Sequence, residues 1–388
     1  MRSAFLIGIL GALLVLVGYF LGEAFAENGV AGLLIAVIVW VVLLMIAYFQ
    51  GDNILLSVAG ARKITADDNP RLYNVVEEMK IASGLEKMPD IYIVDDPAMN
   101  AFATGRSKNR TAVTVTSGLL QNLNRDELQG VVAHEISHIK NRDVLLMSIA
   151  GVLLGTIVIL AWYGTRIMIF GGMGGRRSSS RSGGQAQVIV LIAALVLMIL
   201  APIAAQLIYF AISRKREYLA DASAALYTRY PEGLASALEK LAASTKQLKS
   251  ANNATAPMYT INPFRKEGRA ATDLTSTHPP ISERIRILRA MAGASPADYE
   301  RAYEQIKHRE IIPASAIAAA GSVALREPSA DKEEDRIGRT RDTSDMLLRM
   351  NKYKIVTCAS CGTKYKIPPT YPEPNIICAR CGSPVDIR

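Results

Sequence analysis

The sequence predicts a mainly α membrane protein: four apolar helices, an α+β domain split by the second helical pair, and a small four-cysteine module at the C-terminus. Three observations carry that prediction. Charge-free apolar stretches run over Ala4–Leu21, Ala31–Phe49, Val144–Tyr163 and Val188–Ile212, and each reaches about 27 Å or more as a helix, close to the roughly 30 Å hydrocarbon core of a bilayer. The polar chain between and after them alternates helical and strand-like periodicity. All four cysteines lie in the last 31 of 388 residues. Half of the residues are hydrophobic and only 20% are charged, which excludes dominant disorder and a wholly aqueous chain. The net charge of +9 would suit nucleic acid or an anionic membrane surface, so its placement has to decide.

The first apolar stretch follows Arg2 and precedes Ala24-Phe25-Ala26, which looks like a signal-peptide cleavage site. Its length exceeds most signal cores, so it reads as a retained anchor. Residues 1–50 then form a transmembrane hairpin whose loop carries Glu23 and Glu27 and no base. Basic residues cluster at Arg62 and Lys63 after the second helix, at Lys140 and Arg142 before the third, and at Arg214, Lys215 and Arg216 after the fourth. By the positive-inside rule the amino terminus, Gly51–Asp143 and everything after Ser213 face the cytoplasm of a cell (inner) membrane. The loop Gly171–Gln187, with Arg176, Arg177 and Arg181, resists this assignment. Either it is translocated despite its charge, or the third and fourth helices form a hairpin that does not fully cross; both flanks share one side in either case.

Residues 51–312 read as one domain interrupted by the hairpin 144–212. Asn69-Pro70 starts a helix with Leu72, Val75, Val76 and Met79 at helical spacing. Strand-like runs follow at Ile91–Val94, Met99–Ala103 and Thr111–Thr116. Asn124, with Glu127 three residues on, has the capping-box pattern and opens a helix that runs through Lys140 towards the third membrane helix. Arg214–Tyr230 and Glu232–Lys249 look helical, Asn252–Thr277 is loop-rich, and Ser282–Met291 and Pro296–Arg309 are two further helices. Residues 313–352 turn to Ala, Ser and mixed charge and read as a flexible linker to the four-cysteine module at 353–388.

The chemistry begins at His134-Glu135-Ile136-Ser137-His138. Residues four apart share a helix face, so the two imidazoles can hold one Zn2+ while Glu135 sits beside the open coordination position. Zinc so held lowers the pKa of water from about 15.7 towards 7, and the carboxylate can take the proton as the oxygen attacks an amide carbon. The alternative is a solvated helix with two ordinary histidines, in a chain that has only four. A third ligand is available from the hairpin geometry. His138 lies six residues before Val144 and Glu217 five after Ile212; on helices leaving the bilayer straight, their side chains emerge about 9 and 7.5 Å above the same boundary. Asp221, four residues beyond Glu217, shares its face and can accept the second ring N–H of a ligating histidine. The competing reading pairs Glu217 and Asp221 with Arg214 or Lys215 along their own helix.

HEISHIKNRD before one apolar helix, REYLAD after the next, NAFATG upstream and STHPPISERI downstream together resemble the HtpX-like membrane zinc metallopeptidases, relatives of the CAAX prenyl proteases, over roughly Met1 to Met291. The resemblance implies a zincin-like catalytic domain with His134, His138 and Glu217 as zinc ligands, Glu135 as base and Asp221 supporting the ligands from behind. It implies that Asn100, Ala101 and Phe102 lie on a sheet edge facing the cleft, which suits pairing with an extended peptide; a plain strand end is the alternative. His278, just before Pro279-Pro280, is implied to reach the cleft and bond the tetrahedral oxyanion, with Arg284 in support, although helix capping also explains the prolines. The implied activity is endopeptidase cleavage of exposed segments of misfolded or damaged membrane proteins, a quality-control role. His308, among Lys307, Arg309 and Glu310, reads as part of a solvated helix face.

Cys358-x-x-Cys361 and Cys378-x-x-Cys381, separated by 16 residues, fit a zinc ribbon with two knuckles around one tetrahedral ion. So short a module has too little core to fold unaided, and metal supplies the missing stability. Disulfides are the alternative, against which the reducing cytoplasmic side argues. Two zinc ions are therefore expected, one catalytic and one structural. Lys354, Lys364, Lys366 and Arg380 do not make a dense basic-aromatic surface, which argues against nucleic acid as a partner. Polypeptide substrates, membrane proteins among them, and membrane lipid are the expected partners, and a homo-oligomer is left open. A metal transporter would place its ligands inside the apolar runs, whereas His134–His138 lies between polar Arg125–Gln129 and Lys140–Asp143; the same polarity argues against intramembrane cutting. A noncatalytic assembly or binding protein acting through its zinc ribbon leaves Glu135 without a role.

Overall fold

The computed structural model describes residues 2–107, 110–166, 184–244, 246, 248, 278–312, 317, 321–329 and 336–387. The loop holding Arg176, Arg177 and Arg181, the stretch Asn252–Thr277, and parts of the linker lie outside the described residues.

Among the described residues, four helices are long and apolar enough to cross a membrane: α1 (Arg2–Ala26), α2 (Gly29–Val58), α6 (Asp143–Arg166) and α7 (Gly184–Thr228). Between α1 and α2 the backbones nearly touch, since a Cβ on Gly22 would fall 2.6 Å from the Cα of Gly32. Small residues permit such contacts where lipid offers no hydrophobic drive for association. Leu10 and Leu14 of α1, Ala150 and Leu153 of α6, and Ala201 and Ala205 of α7 form the buried seam. Ile35, Ile38, Ile203 and Leu207 point outwards, as faces turned to lipid should. Helix α7 holds 45 residues and continues through Pro202, so it is about 67 Å long. The apolar helix and the separate helix expected after Arg214 are thus one element, and a single rod runs from the membrane into the polar domain.

The polar domain starts with β1 (Arg62–Ile64), a short strand absent from the sequence reading, then α3 (Pro70–Ser83), β2 (Asp90–Val94), β3 (Ala101–Ser107) and β4 (Arg110–Thr116). The sheet order is β1-β2-β4-β3, with β2 parallel to β4 and the other pairs antiparallel. Helix α4 (Ser117–Asn122) leads to α5 (Arg125–Lys140). The expected capping box is present: Glu127 N donates to Asn124 Oδ1 at 2.9 Å, and Asn124 N donates to Glu127 Oε2 at 2.8 Å. Leu128, Val131, Val132 and Ile136 bury α5 in a core shared with β2, β4, α3 and α8 (Pro231–Ala243). Helix α8 ends before the expected Lys249. Rather than running straight into α6, α5 stops at Lys140, and Asn141 and Arg142, the latter at φ 56°, turn the chain. Helices α9 (Ile281–Arg289) and α10 (Pro296–Lys307) close the domain.

The flexible linker expected over 313–352 is corrected in two places. At 321–329 the chain is strapped across the domain: Arg326 donates to Thr228 O at 2.8 Å, to Asp126 Oδ1 at 2.7 Å and to Gln129 Oε1 at 2.8 Å, while its N donates to Arg229 O at 2.9 Å. Residues Arg336–Met350 form helix α11, with Arg339, Thr343 and Met346 buried. The composition of Ala, Ser and mixed charge suggests a solvated segment. The i, i+4, i+7 spacing of those three positions nevertheless gives one face that docks beside α4, where Arg339 Nε donates to Gln121 O at 3.3 Å. The four-cysteine module is two hairpins, β5 (Lys354–Thr357) with β6 (Lys364–Ile367) and β7 (Asn375–Ile377) with β8 (Pro384–Asp386).

Candidate metal centres

Helix α5 sets His134 and His138 one turn apart, and α7 passes beside them with Glu217. The two Nε2 atoms are 3.3 Å apart; Glu217 Oε2 lies 3.6 Å from His134 Nε2, and Glu217 Oε1 lies 3.5 Å from His138 Nε2. Zinc bonds of about 2.0–2.1 Å at tetrahedral angles span ligand edges of about 3.3–3.4 Å. The two imidazole nitrogens and the two carboxylate oxygens of Glu217 therefore converge at spacings that fit ligands of one ion, one donor atom from each side chain lying within 4.8 Å of the others. Glu135 is buried on the same helix, only 2% exposed.

Each imidazole is backed by a carboxylate that an arginine holds in turn. His134 Nδ1 is 3.0 Å from Asp221 Oδ1, and Arg284 grips Asp221 through Nε at 2.8 Å and Nη2 at 2.6 Å. Arg284 also donates from Nη1 to Glu217 Oε2 at 3.2 Å. His138 Nδ1 is 2.9 Å from Asp143 Oδ2, and Asp143 is ion-paired with Arg216, which donates to Asn141 O at 3.0 Å. With Nε2 turned to the metal position, each Nδ1–H is the donor to its carboxylate. Asp143 and Arg216 were not singled out in the sequence. Their signal is weak: an acid at the first position of a helix reads as a dipole partner, and Arg216 reads as one of a basic trio. Arg284, expected only in support, is fully buried at the centre of the cluster.

Burial alone would depress the His134 pKa, but hydrogen bonds to Asp221 and Glu217 outweigh it and raise the value. At His138 burial is likewise outweighed, by Asp143 and Glu217, and the pKa stands well above the ordinary imidazole range. His278 lies with Nε2 3.8 Å from Glu217 Oε2. Burial chiefly, joined by the positive field of Arg284 and the other two histidines, lowers its pKa and favours the neutral ring.

Asn100, Ala101 and Phe102 are all buried. They lie at the start of β3, the outermost strand of the sheet beside α5, where Asn100 N donates to Thr116 Oγ1 at 3.0 Å. The Phe102 ring packs with Ala59, Val94 and Ala98. Its side chain is thus core, and in the same segment Ala101 N donates to Asn100 Oδ1 at 3.0 Å while Asn100 O accepts from Thr116 N at 3.0 Å.

In the C-terminal module Cys358 Sγ and Cys381 Sγ are 3.6 Å apart, Cys361 Sγ and Cys378 Sγ 3.5 Å, and all four sulfurs lie within 4.8 Å of one another. These separations exclude a disulfide of about 2.05 Å and approach the roughly 3.8 Å edge of a zinc tetrathiolate. Gly362 at φ 72° and Gly382 at φ 71° occupy the left-handed position that closes each knuckle. The Tyr365 hydroxyl donates to Cys378 Sγ at 3.0 Å and brings that thiol down to about 6, which favours the thiolate a metal needs.

Comparison with known proteins gives the family. The model of a family described as peptidase family M48 matches residues 66–292. A protein named Protease HtpX homolog from Dictyoglomus turgidum is 48% identical, covering 75% of this chain and 91% of its own length. A protein of the same name from Streptococcus uberis is 41% identical, covering 75% of this chain and 96% of its own. Among solved structures, Ste24p of S. mikatae is similar at 20% identity and a TM-score of 0.43, over 74% of this chain and 64% of that one, a likeness too slight to carry an argument. The strap, α11 and the four-cysteine module lie beyond the family match.

Proposed function

The chain belongs to peptidase family M48 and is a membrane metalloprotease, and on that premise we propose that it is an endopeptidase built around His134, His138 and Glu217 as ligands of one zinc ion. The observation that carries this reading is the meeting of three side chains whose donor atoms approach at 3.3–3.6 Å, delivered by two helices tied directly to membrane spans. When bound, zinc supplies Lewis acidity to a carbonyl and to water. Glu135 takes the proton of the attacking water and returns it to the leaving amide nitrogen. His278, kept neutral, presents a ring N–H to the oxyanion as charge develops there. Asp221 and Asp143 orient the ligating rings, and Arg284 holds Asp221 and Glu217 against solvent. An extended substrate pairs with the backbone edge at Asn100–Phe102, which demands little of its side chains.

The basic clusters that flank the membrane helices support a cytoplasmic active site and C-terminus. Substrates are then polypeptide segments exposed on that side, those of misfolded membrane proteins in particular, in a quality-control role. Cys358, Cys361, Cys378 and Cys381 hold a second, structural zinc. The test is a metal count and a cleavage assay on full-length protein purified in detergent. Two zinc ions per chain and chelator-sensitive cleavage of an unfolded polypeptide are expected. Full zinc occupancy without cleavage would overturn the enzymatic reading in favour of a noncatalytic binding protein.

A further inference from the structure

Where the membrane helices enter the polar domain, a cavity of 580 Å³ opens between α2, the end of α3, the far ends of β3 and β4, and the α5–α6 turn. Its volume falls in the range of about 300–1,000 Å³ typical of ligand pockets. One wall is made by Tyr48 and Leu145, which belong to the apolar runs of α2 and α6 and so mark the bilayer boundary. The other side carries Lys140, Arg142 and Ser107, with Glu86 as the one carboxylate among the described lining residues. Two cations thus face one acid. Lys140 Nζ donates to Gly84 O at 2.9 Å, which leaves further N–H groups for a ligand. Arg142 is exposed and its guanidinium has no hydrogen bond or ion pair among the described residues. It stands at φ 56°, a conformation uncommon for a residue with a side chain.

We propose that this cavity binds the phosphate-bearing headgroup of an anionic phospholipid from the adjoining leaflet. Lys140 and Arg142 meet the phosphate, Ser107 adds a polar contact, and Tyr48 and Leu145 line the way for the acyl chains. An apolar wall continuous with the lipid-facing surface and a cationic wall at headgroup depth match an amphiphile with a negative head. A free anion would have no use for the apolar wall, and an acidic peptide would not need it at the bilayer boundary. Each juxtamembrane Lys or Arg strengthens attraction to an anionic surface about fivefold, so removing one charge should weaken binding about fivefold and removing both about 25-fold.

The experiment is native mass spectrometry of the full-length protein in a neutral detergent, titrated separately with phosphatidylglycerol, phosphatidylcholine, glycerol 3-phosphate and inorganic phosphate. Preference for phosphatidylglycerol is expected, about fivefold weaker in Arg142→Gln and about 25-fold weaker when Lys140→Gln is added. Ser107→Trp, which fills the cavity without changing charge, should remove the preference as well. Wild-type zinc content certifies the fold of each variant, and Ser107→Trp decides the matter if the charge variants lose metal. Equal binding of the two lipids would overturn the proposal, as would a preference untouched by the variants. Inorganic phosphate bound as tightly as the lipid would identify a free-anion site instead. A raised KM for acidic peptides, with lipid binding unchanged, would identify a substrate subsite.

Discussion

Replacing Asp143 by Asn probes the half of the proposed metal site that a helix break creates. The Asp143 carboxylate, 2% exposed, accepts from His138 Nδ1 at 2.9 Å while its other oxygen pairs with Arg216. Asn keeps the shape and an acceptor oxygen but removes the charge. Loss of such a partner behind a metal ligand weakens metal binding about 10–100-fold, or about 1.4–2.7 kcal/mol. The pH dependence separates this from simple damage. In the metal-free protein Asp143 and Glu217, overcoming burial, hold the His138 pKa well above the imidazole range, so zinc must displace a proton at low pH. The Asn variant lowers that pKa and therefore lessens the competition as pH falls. The ratio of wild-type to variant affinity should accordingly be largest near pH 8 and shrink towards pH 6. Competition against a chromophoric chelator at both values, in a Cys358→Ser background so that the α5 site alone titrates tightly, measures it. An unchanged affinity, or a loss identical at both pH values, would refute the role assigned to Asp143.

Glu135→Gln should retain both zinc ions yet lose about a thousandfold in peptide cleavage, since a general base acts in the transition state; metal analysis beside a chelator-controlled assay checks this. Cys358→Ser should lower the zinc content by one and unfold the module over 353–388, while cleavage of a soluble test peptide persists; loss of the second zinc as well would mean that the module supports the catalytic domain. Two alanines inserted after Ile212 would rotate Glu217 by about 200° and shift it by about 3 Å, bringing Lys215 into its place. Zinc binding at the α5 site should disappear in that variant, and normal stoichiometry there would show that α7 does not position Glu217 as a rigid rod.

What could be read early was encoded over short distances. The i, i+4 histidines, the Asn124–Glu127 box and the paired Cys-x-x-Cys motifs each sit within one element, where backbone geometry alone sets which side chains meet. Glu217 was accessible for a related reason, since two helices leaving one boundary must carry residues of equal rise at equal depth. A straight α5–α6 helix would give that depth directly; the chain instead turns at Arg142, and equal depth survives the break. The resemblance through REYLAD and STHPPISERI drew attention to Asp221 and Arg284, but not to the bidentate contact between them.

Chain segregation into membrane and polar parts, the two metal-binding patterns and the helix that bears the first were determined by the sequence itself, because apolar length and local periodicity need no partner to be expressed. The tertiary structure alone decided how the proposed ligands are held. Arg284 meets Asp221 across 63 residues and Arg216 meets Asn141 across 75, distances over which periodicity carries no information. It also decided that residues 336–350 dock as a helix and that Arg326 straps α5 to the end of α7. Burying a charged side chain is favourable only where partners already wait, and such partners are properties of the assembled fold.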